Sequence, residues 1–277
     1  MAGKLYLCGT PIGNLEDITL RVLRTLKMCD VIYAEDTRHS IKLLNHFEIS
    51  KPLYSYHEHN QSTAGLEILQ KMKNGDEVVL ITDAGMPGIS DPGEALVKLC
   101  IEHDLPFEVI PGVTAFTTAL VGSGLDTSRF VFEAFMSRDK KQKKSLLEKI
   151  KKDTRTILFY ESPHRLKETL KVMLEIFGDR KMVIARELTK KYEEYQRGLI
   201  SELAQHYENH DVRGELVLVV EGYHETADDL ITYNPEETVK AHVERLISEG
   251  TTKKEAMKIV ASERNMKKSD VYATMIE

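Results

Sequence analysis

The sequence predicts a doubly wound α/β fold with a mostly parallel sheet in its first half. A second α/β domain with a mixed sheet follows, and a small helical module closes the chain. Three observations carry this. Short apolar runs alternate with helix-length segments. Each early run breaks abruptly into a glycine-, proline- or acid-rich turn, as at the carboxyl ends of parallel strands. Beyond Glu236 only helical periodicity remains, with capping signals. The expected domains are 1–124, 125–224 and 236–277.

The elements follow in order. Lys4 to Cys8 reads as a strand that ends in Gly9-Thr10-Pro11-Ile12-Gly13-Asn14. Asn14, with Asp17 behind it, is placed to cap a helix from Leu15 to about Met28, with Leu15, Ile18, Val22 and Leu26 as its apolar face. Val31–Ala34 is a strand running into Glu35-Asp36-Thr37-Arg38, and helices follow near His39–His46 and Thr63–Lys73. Val78–Ile81 has the composition of a strand buried on both faces. It opens into Thr82-Asp83-Ala84-Gly85-Met86-Pro87-Gly88-Ile89-Ser90-Asp91-Pro92-Gly93, where the glycines allow a ligand close to bare backbone. Asp91-Pro92 there reads as an N-cap followed by proline at the first helical position. Phe107–Ile110 is a further strand, ending in Pro111-Gly112-Val113-Thr114-Ala115.

After about Leu125 the pattern changes. Strands are expected at Phe130–Ala134, Thr156–Tyr160, Lys181–Ala185 and Leu216–Glu221, helices near Lys140–Lys152 and Pro163–Ile176, and a hairpin arm between Glu187 and Gly198. Tyr223 to Pro235 reads as a polar, acidic linker. Glu236–Ser248 is an amphipathic helix stopped by Gly250. Thr252-Lys253-Lys254-Glu255 is a capping box opening a helix through Val260, and Ser269 is placed to cap a third helix through Met275. The module suits helix-turn-helix nucleic-acid binding or plain docking equally.

Composition narrows the class. With 38 basic and 44 acidic side chains the net charge is -6, so nucleic-acid binding must use local patches. Such a patch exists: Arg138 to Arg155 holds nine basic residues against Asp139, Glu148 and Asp153, densest at Lys140-Lys141-Gln142-Lys143-Lys144. It reads as a solvated helix face or as a phosphate contact. Cys8, Cys29 and Cys100 have no metal spacing and fit reduced, cytoplasmic thiols. No signal peptide or membrane-length apolar run is found, and no residue spacing supports a metal. P-loop, G-x-G-x-x-G and G-x-S-x-G signatures are missing too. Asp83 and Asp91 make the loop after Ile81 a poor phosphate site, and a better one for a positive centre or a ribose.

Three strand ends carry further chemistry. Asp36 is placed either to cap the next helix or to accept a proton, and Arg38 to fork onto a phosphate. Tyr160-Glu161-Ser162-Pro163-His164-Arg165 and Ala185-Arg186-Glu187-Leu188-Thr189-Lys190 gather charges of both signs where a strand emerges.

Together, in this order and spacing, Thr10-Pro11-Ile12-Gly13-Asn14, Ala34-Glu35-Asp36-Thr37-Arg38, Asp83-Ala84-Gly85-Met86-Pro87, Pro111-Gly112-Val113-Thr114-Ala115 and Tyr160-Glu161-Ser162-Pro163-His164-Arg165 resemble the tetrapyrrole methylase superfamily. Within it they look like the branch that 2'-O-methylates cytidine in 16S rRNA. The resemblance implies two α/β domains of the tetrapyrrole methylase type with a cofactor cleft between them. It implies S-adenosyl-L-methionine as donor, 16S rRNA or the small ribosomal subunit as partner, and a homodimer. By position, Asp83, Ala84, Gly85, Gly88, Ile89, Thr114 and Ala115 should line the cofactor, with Tyr160, Glu161 and Ala185 closing over it. Asp36 is the first candidate for general base, ahead of Glu35, Glu161, Glu187 and Lys190. Arg38 and Arg165 are the candidates for holding RNA phosphates. Ala134 departs from the pattern, where a glycine is expected. The competing readings are a small-molecule, tetrapyrrole-type methylase and a non-catalytic RNA- or ribosome-binding protein.

Overall fold

The computed structural model describes residues 2–224, 234 and 236–275. The chain divides into two compact units, Met1–Tyr223 and His224–Glu277. Apart from Tyr223, His224 and Asn234, the expected linker lies outside the described residues.

The first unit carries two five-stranded sheets. The first is built from β1 (Leu5–Cys8), β2 (Val31–Ala34), β3 (Leu53–Ser55), β4 (Val78–Ile81) and β5 (Phe107–Ile110), in the order β3-β2-β4-β1-β5. Every pairing in it is parallel. Side chains alternate between faces along each strand. Leu5, Leu7, Val78 and Leu80 pack with Ile68 and Met72 of α3 (Gln61–Lys73) and with Leu96 and Cys100 of α4 (Gly93–Glu102). Cys8, Ile32, Val79 and Ile81 pack on the other face, with Val22 and Leu26 of α1 (Leu20–Met28) and Leu44 of α2 (Thr37–His46). Helices on both faces of a parallel sheet make the doubly wound form.

The helix expected from Leu15 is broken. Asn14 Oδ1 accepts from the Glu16 N–H at 3.1 Å and caps only a 3-10 turn, Leu15–Asp17. Thr19 then caps α1 afresh, its Oγ1 accepting from the Val22 N–H at 3.1 Å. The second cap wins because it places Val22 and Leu26 in the core and leaves Leu20 in solvent. Similarly, α4 starts at Gly93 rather than Pro92, and Asp91 serves the turn before it. The short strand β3 has no counterpart in the sequence reading; only three residues long and mostly exposed, it leaves no apolar run to read.

The second sheet comprises β6 (Phe130–Phe135), β7 (Thr156–Glu161), β8 (Lys181–Arg186), β9 (Glu194–Leu199) and β10 (Leu216–Val220), ordered β6-β7-β10-β8-β9. β6 and β7 are parallel, and the other pairs antiparallel. One face packs on α6 (Lys140–Ile150), α7 (Leu166–Phe177) and α8 (Ile200–Asn209) through Leu147, Leu170, Met173 and Leu203. The opposite face, with Leu158, Val183 and Val219, receives Ala119 and Leu120 of α5 (Ala115–Ser123) and Ile12 from the loop after β1. One helix from the first half therefore ties the two sheets together and leaves a cleft at the strand ends.

The second unit holds α9 (Val239–Ser248), α10 (Lys253–Glu263) and α11 (Lys268–Thr274) around Val243, Ala256, Val260 and Val271. Thr252 accepts from the Glu255 N–H at 3.4 Å, one half of the expected capping box, while the Glu255 carboxylate accepts from the Thr252 hydroxyl at 2.7 Å. Ser269 does not cap: it lies inside α11, behind Lys267, and its hydroxyl donates to Asp270 at 3.0 Å. Among the described residues no helix is long and apolar enough to cross a membrane.

Candidate active site

The turns after β1, β4 and β5 are laced together. Thr10 and Gly85 exchange backbone hydrogen bonds of 2.9 and 3.1 Å. The Thr10 hydroxyl donates to the Thr82 carbonyl at 3.1 Å. Gly9 packs on Gly112 so closely that a Cβ on Gly9 would lie 2.7 Å from the Gly112 Cα. Gly85 has φ +86°, a left-handed backbone that an L side chain resists.

These turns form one wall of a cleft of about 470 Å³. Asp83, Ala84, Gly85 and Ile89 line it, with Thr114 and Ala115 at the start of α5 and Tyr160 and Glu161 from the second sheet. Glu35, expected only as a reserve base, and Thr82 and Asp91 of the loop after β4 line it too; Phe135 and the stretch from Gly214 to Val217, which the sequence did not single out, complete this part of the lining. Leu216 and Val217 belong to an apolar strand, and nothing in their pattern tells cleft from core.

Two carboxylates dominate the electrostatics. Burial pushes the Glu35 carboxyl up, helped by Asp83 and Asp91 nearby and opposed by the Thr82 hydroxyl, which donates to Oε2 at 3.0 Å. Asp91 is likewise raised by burial. Its Oδ1 accepts the Gly88 and Gly93 N–H groups, each at 2.8 Å, and holds the loop in shape. Its Oδ2 is buried with no partner, an unused acceptor in a residue lining the cleft.

Several expected roles change. Asp36 and Arg38 do not line the cleft. Asp36 is the N-cap of α2, accepting from the Arg38 N–H at 2.8 Å, and the Arg38 guanidinium forks onto the same carboxylate at 2.6 to 3.2 Å. That pairing holds the Asp36 carboxyl far below the usual carboxylate range, which makes it a weak proton acceptor. Gly88 lies behind the lining, at φ +89°, shaping the loop. Ala185 is fully buried among Leu158, Val183 and Leu188, so it belongs to the core. Glu161 has no exposed side-chain surface. Its carboxylate accepts from the Ser162 N–H at 2.7 Å and the Thr169 hydroxyl at 2.6 Å. It braces the loop and leaves no oxygen for a ligand. Arg165 donates to the Met136 and Ser137 carbonyls at 2.7 and 3.1 Å and pairs with Glu161, so it is not free to hold phosphate. Ala134 has φ +53° at a break in the β6–β7 register, which accounts for the expected glycine.

The basic run is also less uniform than its sequence. Lys143 is buried, and its Nζ donates to the Thr169 hydroxyl at 3.2 Å. Lys140 and Lys144 pair with Glu168 and Glu175 of α7. Arg138, Lys141 and Lys149 stay exposed without an ion pair among the described residues.

Two linked α/β layers with a cleft at the carboxyl ends of the first sheet define a class. The family model for tetrapyrrole (corrin/porphyrin) methylases matches residues 4–204, and the chain belongs to that family. Within it the chain is 49% identical to "Ribosomal RNA small subunit methyltransferase I" of Bacillus subtilis, across 98% of this chain and 93% of that protein. The protein of the same name from Thermotoga maritima is 48% identical across 79% of this chain and 99% of its own length. Among solved structures, a cobalt precorrin-4 methyltransferase superposes with TM-score 0.61 at 21% identity, covering 79% of this chain and 94% of that one. Uroporphyrin-III C-methyltransferase from Thermus thermophilus, complexed with S-adenosyl homocysteine, gives 0.57 at 20% identity over 79% and 97%.

Proposed function

We propose that this protein transfers a methyl group from S-adenosyl-L-methionine to the ribose 2'-hydroxyl of a cytidine in 16S rRNA, free or within the small ribosomal subunit. The observation that carries this reading is 49% identity across 98% of the chain to a protein named for rRNA methylation, against 20–21% to tetrapyrrole methylases.

The cleft suits the donor. Its volume is in the usual range for small-molecule sites. Phe135 and Tyr160, with ring centroids 5.3 Å apart, and Ile89 offer apolar cover for a flat base. Asp83 offers an acceptor to ribose hydroxyls or a cationic centre. The donor supplies an electrophilic methyl on positively charged sulfur. The chain's residues bind it, exclude water and align the acceptor. We further take the protein to act in the cytoplasm as a homodimer, as the family resemblance implies. β5 ends its sheet, and Phe107 and Val109 on it are exposed, leaving an apolar edge open to a second copy.

The test is transfer of tritiated methyl from S-adenosylmethionine. Label is expected in 16S rRNA and none in uroporphyrinogen; the reverse would replace this reading with the tetrapyrrole one. Asp36→Asn keeps the helix cap, since Asn caps as well as Asp. Its single-turnover transfer is expected to stay within about threefold of wild type, where loss of a general base would cost about a hundred- to ten-thousand-fold. Reversing the free charges Arg138, Lys141 and Lys149 to Glu should weaken RNA binding. It should also flatten the salt slope by about 0.7–0.9 for each phosphate no longer neutralised, with cofactor affinity unchanged. Wild-type affinity in that variant would reduce the run to a solvated face.

A further inference from the structure

A second hollow of about 370 Å³ shares Ile12, Thr82, Asp83, Ala84 and Glu215 with the first cleft. A two-substrate transferase needs such a pair of adjoining sites, because the methyl must pass directly between them. The second hollow differs in chemistry from the first. Lys42, exposed and without an ion pair among the described residues, lies on it. So does Ser40, which is 4% exposed and whose hydroxyl has no partner. An unsatisfied buried hydroxyl and a free ammonium suit a polar, anionic ligand.

His39 stands at the junction. Its Nδ1 is 3.4 Å from Asp83 Oδ2, and Asp83 Oδ1 accepts from the Asp36 N–H at 3.1 Å, which fixes that carboxylate. A carboxylate at Nδ1 favours the tautomer with its proton there and leaves Nε2 as a proton acceptor. The geometry points to the second hollow as the site of the acceptor nucleotide, with His39, oriented by Asp83, as the general base for its ribose 2'-hydroxyl. This rests on the reading of the protein as an RNA 2'-O-methyltransferase.

The step balances. The 2'-O–H bond breaks; its proton goes to His39 Nε2 and its electron pair forms the new O–CH3 bond. The methyl–sulfur bond breaks with its pair left on sulfur, which becomes neutral. The imidazolium, next to Asp83, then loses its proton to water. Around His39 the other charged groups are Asp36, 4.0 Å from Nδ1 but already forked by Arg38, with Lys42, Lys190 and Glu215 on the same hollow. Lys190 is paired with Glu187 and Glu215 at 2.9 and 3.0 Å and so is engaged as a cation, and His39 is the histidine among the residues lining this hollow. Asp36, His39 and Asp83 bring donor atoms within 4.8 Å of one another, so a bound divalent ion is the rival use of the cluster.

The test uses the full chain with 16S rRNA and S-adenosylmethionine. The His39 side chain is largely solvent-exposed, so His39→Gln and His39→Gly should fold and bind the donor as wild type does. Their single-turnover rates should fall about a hundred- to ten-thousand-fold. Added imidazole should restore part of the rate to His39→Gly. Nitrogen NMR of the free protein should find the His39 ring protonated at Nδ1, with that preference lost in Asp83→Asn. Rates within about threefold of wild type, no rescue by imidazole, or abolition of wild-type transfer by a chelator would each overturn the assignment. If wild type labels no RNA, the functional reading fails and the assignment falls with it. If wild type labels RNA and His39→Gly does too, only the assignment fails.

Discussion

Gly85→Val is expected to abolish S-adenosylmethionine binding while leaving the protein folded. Gly85 sits at φ +86°, where a β-branched side chain is strained by at least the ~1–2 kcal/mol of a left-handed L-residue. The room around it is adequate: a Cβ would lie 3.7 Å from the Val113 carbonyl oxygen. The strain is therefore relieved by moving the backbone rather than by a clash. That movement breaks the paired hydrogen bonds to Thr10 and shifts Asp83 and Ala84, which line the cleft. Calorimetric titration should find affinity reduced by at least about a hundredfold, ~2.7 kcal/mol, with a thermal midpoint only a few degrees lower. Gly85→Ala should fall between. Unchanged affinity in Gly85→Val would remove this loop from the site.

Lys143→Glu is expected to have the largest effect on stability. Lys143 is 2% exposed and joined to Glu161 through the Thr169 hydroxyl. A carboxylate in its place sets a second buried negative charge against Glu161, with Arg165 as the remaining counter-charge. Leaving a buried charge uncompensated costs about 3–5 kcal/mol. At about 2–4 °C per kcal/mol for a domain of this size, the thermal midpoint should drop by roughly 6–20 °C. Lys141→Glu, on the exposed side of the same helix, should shift it hardly at all. Equal effects of the two substitutions would contradict the buried network. Circular dichroism melts decide between these outcomes.

The same pair of lysines marks where the sequence stops being legible. Both halves of the first unit were readable because strands buried on two faces leave unbroken apolar runs, as in Val78–Ile81 and Leu216–Val220. The loop after β4 was readable as a candidate site because glycines, prolines and acids gathered after a buried strand exceed what an ordinary turn uses, although Asp91 and Gly88 also turn out to shape the loop. Lys143 was not separable from Lys141, since a charge run says nothing of which member a partner across the helix pair will bury. Asp36 and Glu35 are adjacent, and only the Arg38 fork on one and the burial of the other set their proton affinities apart. His39 carries no signal in the sequence because its partner Asp83 is 44 residues away.

Mapping ribose methylation across 16S rRNA tests the central claim most directly, comparing cells lacking the gene with the same cells carrying it again. The expected result is one cytidine that loses its 2'-O-methyl group in the deletion and regains it on complementation, but not with the Gly85→Val form. An unchanged 2'-O-methylation profile in the deletion would contradict the account.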